Sequence, residues 1–292
     1  MKPIKLVSWN VQWGRDVAGV VDLARTVREA KRLADFDVLC LQEITRGFHA
    51  LPGGPGDDQF AELAALLPGF TVLEAIGADL AADPAAAVNG QPARRRQFGN
   101  ALATRLPVAQ VFRHLLPWPA DPAAPSMQRV ALEAVLEAPG GALRALVTHL
   151  EFYSERQRLA QVEALRRLQQ EAAAHAAQPA PAENTEGPFA RTARPVSAIV
   201  CGDFNSAWGS AAYMRMLDPL TDSPAFIDAW TTLHAGATPP TAGVYDTAQW
   251  PDGPLSCDFV FVTEDLRSRL KRCDIDGATQ ASDHQPIVLE LG

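Results

Sequence analysis

The sequence predicts a protein of mixed α/β class in which short strands outnumber helices and the two are interleaved along the chain. Nine short runs are apolar or alternate between apolar and polar residues, as strands do, and three segments repeat apolar residues at helical spacing. The 292 residues exceed the usual domain length of about 100–200 residues, but no linker separates two cores. We therefore expect one domain, residues 1–292, with extended loops.

The nine predicted strands differ in how their apolar residues are arranged. Some alternate, as strands buried on one face do, whereas Val38–Leu41 is continuously apolar, which indicates burial on both faces. The predicted strands are Ile4–Val11, Val38–Leu41, Phe70–Ala75, Asn100–Thr104, Arg129–Leu136, Leu143–Leu150, Val196–Cys201, Phe259–Thr263 and Pro286–Leu291.

Three helices are predicted between these strands. Apolar residues recur at helical spacing from Val20 to Ala34, and Asp58 is placed to cap a second helix. Ser154 and Gln157 have the spacing of a capping box that opens a third helix. Two further segments, 77–92 and 172–195, are rich in alanine and proline without a hydrophobic period, so we predict poorly ordered surface loops there.

Composition limits the partners and the compartment. The formal net charge is −8, whereas proteins that bind long duplex nucleic acid usually present a basic patch or stripe. The four cysteines, Cys40, Cys201, Cys257 and Cys273, form no C-x-x-C pair, and no disulfide framework is expected in so large a core. Without a signal peptide or an apolar run of about 18 residues, the chain is expected to be cytoplasmic and to have no transmembrane segment.

Polar residues able to bind a metal ion or a phosphate group stand where six strands end or begin. Neighbouring antiparallel strands run in opposite directions, so their ends and starts share one rim of a sheet. Each residue alone is explained as a turn former, but turn chemistry does not require this mixture at six strand ends. We therefore expect a solvent-facing rim that carries Asn10, Glu43, His149, Asp203, Asn205, Asp258, Asp283 and His284.

Seven motifs resemble those of the endonuclease/exonuclease/phosphatase superfamily, which includes pancreatic deoxyribonuclease, abasic-site endonucleases, neutral sphingomyelinases and inositol-polyphosphate 5-phosphatases. They occur in the family's order and span nearly the whole chain. The resemblance implies an α/β (α+β) four-layer sandwich of two packed, mostly antiparallel β-sheets flanked by helices. The motifs are Ser8-Trp9-Asn10-Val11, Leu41-Gln42-Glu43, Gly99-Asn100-Ala101-Leu102, Thr148-His149-Leu150, Gly202-Asp203-Phe204-Asn205, Asp258-Phe259-Val260-Phe261-Val262 and Ser282-Asp283-His284-Gln285-Pro286.

The resemblance also implies a metal site. Glu43 would be the principal ligand, helped by Asp283 and Asn10. Oxygen-rich ligands without thiolates suit a hard cation, so Mg²⁺ is the first expectation and Mn²⁺ the second. The activity implied is that of a divalent-metal-dependent phosphoesterase.

The same resemblance assigns catalytic roles. Asp203 would position or deprotonate the attacking water, and Asn205 would hold that water or a phosphate oxygen. His284, oriented by Asp258, would act on the phosphoryl group or serve as a base, and His149 would donate to a non-bridging phosphate oxygen. Whether Asp203 or His284 takes the proton of the water stays open, as does one metal ion versus two.

The remaining substrate clues leave alternatives. Asn10, Asn100 and Arg129 are candidates for substrate contact, although an ordinary ion pair explains Arg129 equally well. The run Arg94–Arg96 is either a solvated loop or a phosphate grip beside the active rim. Trp118 and Trp250, in proline-containing loops, are interpreted as loop packing or as stacking surfaces for a base or sugar.

Three functional hypotheses follow. The first is a phosphodiesterase or nuclease that acts on a nucleotide or a nucleic-acid terminus. The second is a phosphoesterase directed at lipid or inositol phosphates, which the absence of a polybasic amphipathic helix makes less favoured. The third is a catalytically silent binding module with the same fold. The Thr148-His149-Leu150 motif resembles the corresponding motif in the branch of the superfamily that contains sphingomyelinases, deadenylase-like nucleases and tyrosyl-DNA phosphodiesterases. No protein partner is implied.

Overall fold

A computed structural model describes residues 3–54, 56–83, 94–178, 187, 190 and 192–292. Within these residues, twelve strands form two sheets of six strands each. All nine predicted strands are present, and the two sheets pack against each other through a shared apolar core.

The first sheet is built mostly from the N-terminal part of the chain and is completed by two C-terminal strands. Its strand order is β11-β12-β1-β2-β4-β3, and among its described strands β1 and β2 are parallel neighbours while the other neighbours are antiparallel. The strands are β1 (Ile4–Asn10), β2 (Val38–Arg46), β3 (Thr71–Leu80), β4 (Arg96–Thr104), β11 (Leu270–Ile275) and β12 (Ile287–Leu291).

The second sheet repeats this arrangement. Its order is β5-β6-β7-β8-β10-β9, and again a single central pair, β7 with β8, is parallel. The prediction of mostly antiparallel sheets is therefore confirmed. The strands are β5 (Val108–Leu115), β6 (Val130–Leu136), β7 (Leu143–His149), β8 (Ala198–Asp203), β9 (Phe226–Asp228) and β10 (Asp258–Thr263).

Helices cover the outer faces of both sheets. In the first sheet, Trp9 and Leu39 pack against apolar residues of α1 and α2, and in the second sheet Leu146 and Phe259 pack against α3 and α4. The four-layer sandwich is thus confirmed. The helices are α1 (Leu23–Leu33), α2 (Gln59–Leu66), α3 (Glu155–Ala177), α4 (Ala211–Leu217) and α5 (Ala229–Leu233), with 3₁₀ turns at Gln12–Gly14 and Glu264–Arg269.

Side-chain caps fix where the main helices begin. The Asp58 carboxylate accepts from the Ala61 N–H at 3.2 Å, as predicted, and the Ser154 hydroxyl accepts from the Gln157 N–H at 3.2 Å. The reciprocal bond of the predicted capping box is not formed, because Gln157 Nε2 donates to the Pro119 carbonyl at 2.8 Å instead. The first helix begins later than its apolar spacing suggested, because Asp22 caps it by accepting from the Arg25 N–H at 2.9 Å.

Alternation along the central strands explains their continuous apolar runs. Val38 and Cys40 of β2 face the core between the sheets, whereas Leu39 and Leu41 face the helices. Both faces of β2 are therefore buried, as predicted, and each strand of this kind has one row of side chains that points toward the other sheet.

Both predicted loop segments begin inside regular structure. Residues 77–80 belong to β3, and Ala172 and Ala173 are buried in the last turns of α3. The alanine run after Ala172 lacks an apolar period but has high helix propensity, which continues the helix to Ala177. Residues 84–93, 179–186, 188, 189 and 191 lie outside the described residues.

All four cysteines are buried free thiols, so the expectation of no disulfide framework is confirmed. Across the described ranges, no helix combines the length and the apolar character that a bilayer crossing requires.

Candidate active site

Polar residues replace apolar ones at one end of the rows that fill the core between the sheets. Asn10 continues the inward-facing row of Ile4 and Leu6 in β1. Inward-facing rows of other strands reach the same end with Asn100, His149, Asp203 and Asp258. The strand alternation that builds the core therefore also delivers the candidate site.

A bulge directs Glu43 away from the row that its position in β2 would give it. The register between β2 and β4 shifts between Gln42 and Ile44, and Ile44 instead of Glu43 continues the helix-facing row. The φ angle of Glu43 is +65°, in the left-handed region that non-glycine residues seldom adopt. Local strain of this kind is concentrated at functional sites.

A glycine brings His149 and Asp203 side by side at the ends of the parallel strands β7 and β8. The two residues are register partners, with Thr148 and Gly202 as the pair before them. The φ angle of Gly202 is +137°, and a Cβ atom there would collide with the carbonyl oxygen of Thr148. Glycine is therefore required at this position of β8, beside Thr148 of β7.

The amide of Asn10 joins the two sheets within the site. Its Nδ2 atom donates to Glu43 Oε1 and to Asp203 Oδ2, each at 3.0 Å. Its Oδ1 atom accepts from the Gln12 N–H at 3.1 Å. Asn10 thus holds a carboxylate from each sheet at a fixed position.

Asp258 and His284 form a buried carboxylate–imidazole pair. His284 Nδ1 lies 2.8 Å from Asp258 Oδ2, and His284 Nε2 lies 3.8 Å from Asp203 Oδ2. Burial lowers the pKa of His284, but the charges of Asp258, Asp283 and Asp203 outweigh it and raise the pKa well above its usual range. Burial, with the nearby charge of Asp258, raises the pKa of Asp203 to about 6. At neutral pH these values favour an imidazolium beside an ionised Asp203.

His149 lies on the other side of Asp203, close to a buried arginine. Its Nε2 atom is 3.5 Å from Asp203 Oδ2, and its Nδ1 atom is 3.9 Å from Glu43 Oε1. Burial and the charge of Arg129 hold the pKa of His149 well below its usual range, so the ring is neutral. Both His149 Nδ1 and Arg129 Nη1 are buried without a hydrogen-bond partner among the described residues, and both residues line one small cavity.

Arg129 is held by a carboxylate that the sequence analysis did not single out. Its Nε atom lies 3.3 Å from Glu151 Oε2, and both side chains are buried. The ion pair considered for Arg129 therefore exists, while its Nη1 atom stays unpaired beside His149. The two interpretations of Arg129 are compatible.

Two predicted asparagines use their amide groups for backbone contacts. Asn205, with a φ angle of +47°, donates from Nδ2 to the Leu150 carbonyl at 2.9 Å, and its N–H donates to Asp203 Oδ1 at 2.8 Å. Asn100 donates from Nδ2 to the Val130 carbonyl at 3.0 Å, which connects the two sheets. Asn100 also lines the cavity that holds Arg129 and His149.

Asp283 accepts hydrogen bonds from two residues of distant segments. Its Oδ2 atom accepts from Gln12 Nε2 at 3.0 Å and from Trp250 Nε1 at 3.2 Å. Gln12 has a φ angle of +44° and also donates to Gln249. The sequence analysis missed Gln12, and only its place directly after the Trp9-Asn10-Val11 motif marks it.

The predicted metal ligands fit a hard divalent cation. Burial and the charge of Asp283 raise the pKa of Glu43 to about 7, a repulsion that a cation bound to both carboxylates would remove. All donors offered by Glu43, Asp283 and Asn10 are oxygens, as Mg²⁺ and Mn²⁺ prefer. Asn10 must turn its amide to present its oxygen, because Nδ2 faces Glu43 here.

A second group of possible ligand atoms lies deeper in the site. Three possible ligand atoms lie within 4.8 Å of one another, one each from Asp203, Cys257 and His284, and all three residues are buried. The sequence analysis considered Cys257 only as a possible member of a C-x-x-C pair or a disulfide framework. Its proximity to His284 arises entirely from the tertiary fold.

The predicted rim differs from the structure in one respect. Asp203, Asp258, Asp283 and His284 are each at most 5% exposed, so they do not line a solvent-facing edge. The segment before β10 packs on these groups, because Thr241 Oγ1 accepts from the Asp258 N–H at 2.9 Å and the Gly243 N–H donates to the Asp283 carbonyl at 3.0 Å.

The basic run beside β4 is paired with acidic and carbonyl groups. Arg94 lies 3.4 Å from Asp58, Arg95 lies 2.7 Å from Asp79, and Arg96 donates to the Ala81 carbonyl at 2.8 Å. These contacts favour the interpretation of Arg94–Arg96 as part of a surface loop and not as a phosphate-binding site.

Comparison with known proteins extends these observations. Residues 7–284 match the model of the Endonuclease/Exonuclease/phosphatase family. No curated protein matches the sequence. The endonuclease/exonuclease/phosphatase of Beutenbergia cavernae DSM 12333 is similar in structure, with a TM-score of 0.66 and 21% identity over 100% of this chain and 72% of that chain.

Two further solved structures have similar folds and more specific descriptions. The mannosyl-6-phosphatase of Bacteroides thetaiotaomicron VPI-5482 has a TM-score of 0.60 and 16% identity over 99% of both chains. A 3′ phosphatase from Neisseria, bound to product DNA hairpin, has a TM-score of 0.60 and 17% identity over 99% of both chains. At these identities the likeness concerns the fold.

Proposed function

The chain belongs to the endonuclease/exonuclease/phosphatase family, and from this premise we propose that it is a divalent-metal-dependent phosphodiesterase that uses water as the nucleophile. Hydrolysis of phosphoesters is the general chemistry of the family. The observation that carries the proposal is the position of Asp203, which accepts from Asn10 at 3.0 Å and lies within 4 Å of both His149 and His284. A carboxylate among groups that can hold a phosphoryl oxygen is suited to direct a water molecule at phosphorus.

Glu43 and Asp283 would hold the metal ion, with Asn10 as a third ligand after its amide turns. Mg²⁺ is the proposed ion and Mn²⁺ the alternative. A bound divalent cation neutralises charge on the phosphate and on the leaving oxygen. Gln12 and Trp250, which donate to Asp283, would fix the orientation of that carboxylate.

Asp203 is the proposed general base. A base works best when its pKa is close to the working pH, and burial with the charge of Asp258 raises the pKa of Asp203 to about 6. His284 is less suited to accept a proton, because the neighbouring carboxylates raise its pKa and keep the ring protonated. As an imidazolium, His284 would instead donate to a phosphoryl oxygen.

His149 and Arg129 would bind a non-bridging oxygen of the phosphate. Arg129 Nη1 is a buried donor without a partner among the described residues, and leaving such a donor unsatisfied costs about 1–3 kcal/mol. His149 Nδ1, also without a partner there, is a second donor when the neutral ring carries its hydrogen on that nitrogen. A phosphate oxygen would accept from both donors. Because their positions are fixed before substrate binds, they are also placed to stabilise charge that develops during the reaction. Asn205 and Asn100, whose amides bind backbone carbonyls, would mainly maintain the geometry.

The test is hydrolysis of bis-p-nitrophenyl phosphate and p-nitrophenyl phosphate with Mg²⁺, with Mn²⁺ or with excess chelator. We expect metal-dependent cleavage of the diester in preference to the monoester. Asp203→Asn keeps the shape of the side chain but removes the base, so kcat should fall by about 10²–10⁴-fold. Asp218→Asn, which changes an exposed aspartate of an ion pair with Arg215, is the matched control.

Three results would contradict the proposal. Diester cleavage that continues in excess chelator would reject the metal dependence. Near-normal turnover by Asp203→Asn would reject the assigned base. A clear preference for the monoester would make the protein a phosphatase instead of a phosphodiesterase.

A further inference from the structure

A cavity of about 240 Å³ adjoins the candidate active site on the side of Asn205 and Cys257. The segment Gln249–Leu255 forms one wall, and Phe152, which follows β7, forms another. In the proposed hydrolysis, Trp250 only orients Asp283, and Phe152 has no role. The cavity is therefore placed to receive a part of the substrate other than the phosphate.

Two of the side chains that line the cavity, Phe152 and Trp250, are aromatic. The rings of Phe152 and Trp250 meet edge to face with centroids 6.4 Å apart, and Tyr153 packs on Phe152 at 4.7 Å. Phe152 is 46% exposed and Tyr153 is 63% exposed. A cluster of exposed apolar rings beside a polar site is typical of a ligand-binding surface, and such rings stack readily on planar groups.

The charge and the size of the cavity restrict its occupant. Asp252 is the only charged residue among those described as lining it, so a phosphate group is repelled. Asn205 and Gln249 add polar atoms that can form hydrogen bonds to a ring substituent. The volume is smaller than the roughly 300–1,000 Å³ of pockets for drug-sized ligands, which leaves room for one ring system. These properties fit a planar, uncharged ring.

The wall of the cavity also contacts a proposed metal ligand. Trp250 Nε1 donates to Asp283 Oδ2 at 3.2 Å, and its ring centroid lies 5.6 Å from that of His284. Gln12 donates to Gln249 at 2.9 Å and to Asp283 Oδ2 at 3.0 Å. A ring that orders Trp250 would therefore also order the hydrogen bonds that hold Asp283.

We propose that this cavity binds one planar, uncharged ring of the substrate, such as a nucleobase, and that Trp250 couples its occupancy to metal binding through Asp283. The metal part of this inference rests on the proposed function. Coupling between two sites is reciprocal, so ring and metal must raise each other's affinity by the same factor. The substrate class that follows is a phosphoester of a nucleoside-like alcohol.

Calorimetric titrations can measure this coupling without turnover. Thymidine and adenosine, which contain no phosphate, are titrated into the protein with and without Mn²⁺, and Mn²⁺ is titrated with and without each nucleoside. We expect each ligand to tighten binding of the other by the same factor, of about fivefold or more.

Two variants separate stacking from coupling. Trp250→Phe keeps an aromatic wall but removes the N–H donor, so nucleoside should still bind while the coupling factor falls to about one. Phe152→Ala should weaken nucleoside binding in the metal-free protein without changing Mn²⁺ affinity. Trp118→Phe is the matched control, since the Trp118 indole donates to Ser126 at 2.8 Å instead of to Asp283.

The inference is overturned if neither nucleoside binds near its solubility limit, or if Trp250→Phe retains the coupling of the wild-type protein. Coupled binding without hydrolysis of any diester would overturn the proposed function alone. Hydrolysis of the simple diester without nucleoside binding would overturn the inference alone.

Discussion

At the scale of single residues, Glu43 combines three unusual properties. Its backbone is left-handed, it occupies a β-bulge, and burial together with Asp283 raises its pKa from 4.5 to about 7. Without a bound cation, an ionised Glu43 is therefore unfavourable in the folded protein. Strained backbone conformations like that of Glu43 cluster at active sites and ligand-binding sites.

This state predicts a pH-dependent stability of the metal-free protein. Because the folded pKa of Glu43 lies above the unfolded value, the folded state binds more protons between pH 4.5 and 7, and stability falls as pH rises through that window. The loss assigned to Glu43 is about 3 kcal/mol. Glu43→Gln removes the ionisation and can still accept from Asn10.

In excess chelator, Glu43→Gln should therefore match the wild-type protein near pH 4.5 and exceed its free energy of unfolding by about 3 kcal/mol at pH 8. Urea denaturation at both pH values measures the difference. Glu74→Gln, at a carboxylate on β3 that pairs with Arg46, is the control. A stability difference that does not change with pH would contradict the assignment.

Sequence reasoning reaches site residues to the extent that they have local signals. Asp203 follows an apolar strand within a recognisable motif, and the structure brings it next to His149 and His284. Gln12 and Cys257 had no such signal, because Gln12 reaches Asp283 across 271 positions of the chain. Their contacts exist only after the two sheets have packed.

At the scale of elements, the parallel pair β7 and β8 fixes the centre of the site. A side chain added at Gly202 would disturb this pair. A Cβ atom at Gly202 would collide with the backbone of Thr148, which cannot move without breaking the ladder between the strands. We expect Gly202→Ala to lower the free energy of unfolding by about 2–4 kcal/mol or to prevent folding.

Gly209→Ala is the matched control for this prediction. Gly209 also has a positive φ angle, of +77°, but a Cβ atom there meets nothing within 4 Å. Its substitution should lower stability by about 1 kcal/mol, which is the effect of the backbone conformation alone. Equal losses for the two variants in urea denaturation would show that close packing of β7 on β8 is unimportant.

The strands that the sequence analysis missed are β5, β9 and β11, and all three lie at sheet edges. A central strand is buried on both faces and has a continuous apolar run, whereas no residue of the edge strand β5 is fully buried and its exposed positions are Ala109, Arg113 and Leu115. β9 has only three residues, too few for a periodic signal. The strength of the sequence signal therefore follows the depth of burial.

At the scale of the whole molecule, the two sheets have the same plan. Each places one parallel pair at its centre, and the ends of these pairs supply Asn10 and Glu43 from one sheet and His149 and Asp203 from the other. The polar residues at the ends of the predicted strands predicted this convergence, but the burial of the site depends on long loops whose paths have no periodic signal. The site therefore lies between the two sheets, and each sheet supplies part of it.

The charge of the whole molecule predicts how salt affects its reaction with nucleic acids. The net charge is −8, and the arginines at 94–96 are engaged by acidic or carbonyl groups. Long-range forces on an anionic oligonucleotide are therefore repulsive, and they are screened beyond about 10 Å at 0.1 M salt.

We expect kcat/KM for a 20-residue single-stranded oligonucleotide to rise or stay constant as NaCl increases at fixed Mg²⁺. The value for thymidine 5′-p-nitrophenyl phosphate, which carries a single charge, should change little and serves as the control. A protein that binds the phosphate backbone behaves oppositely. Its affinity falls steeply as the salt concentration rises, because the release of counterions from the nucleic acid becomes less favourable. A kcat/KM for the oligonucleotide that falls steeply with salt would therefore require a basic binding surface and would contradict a small nucleoside phosphoester as the preferred substrate.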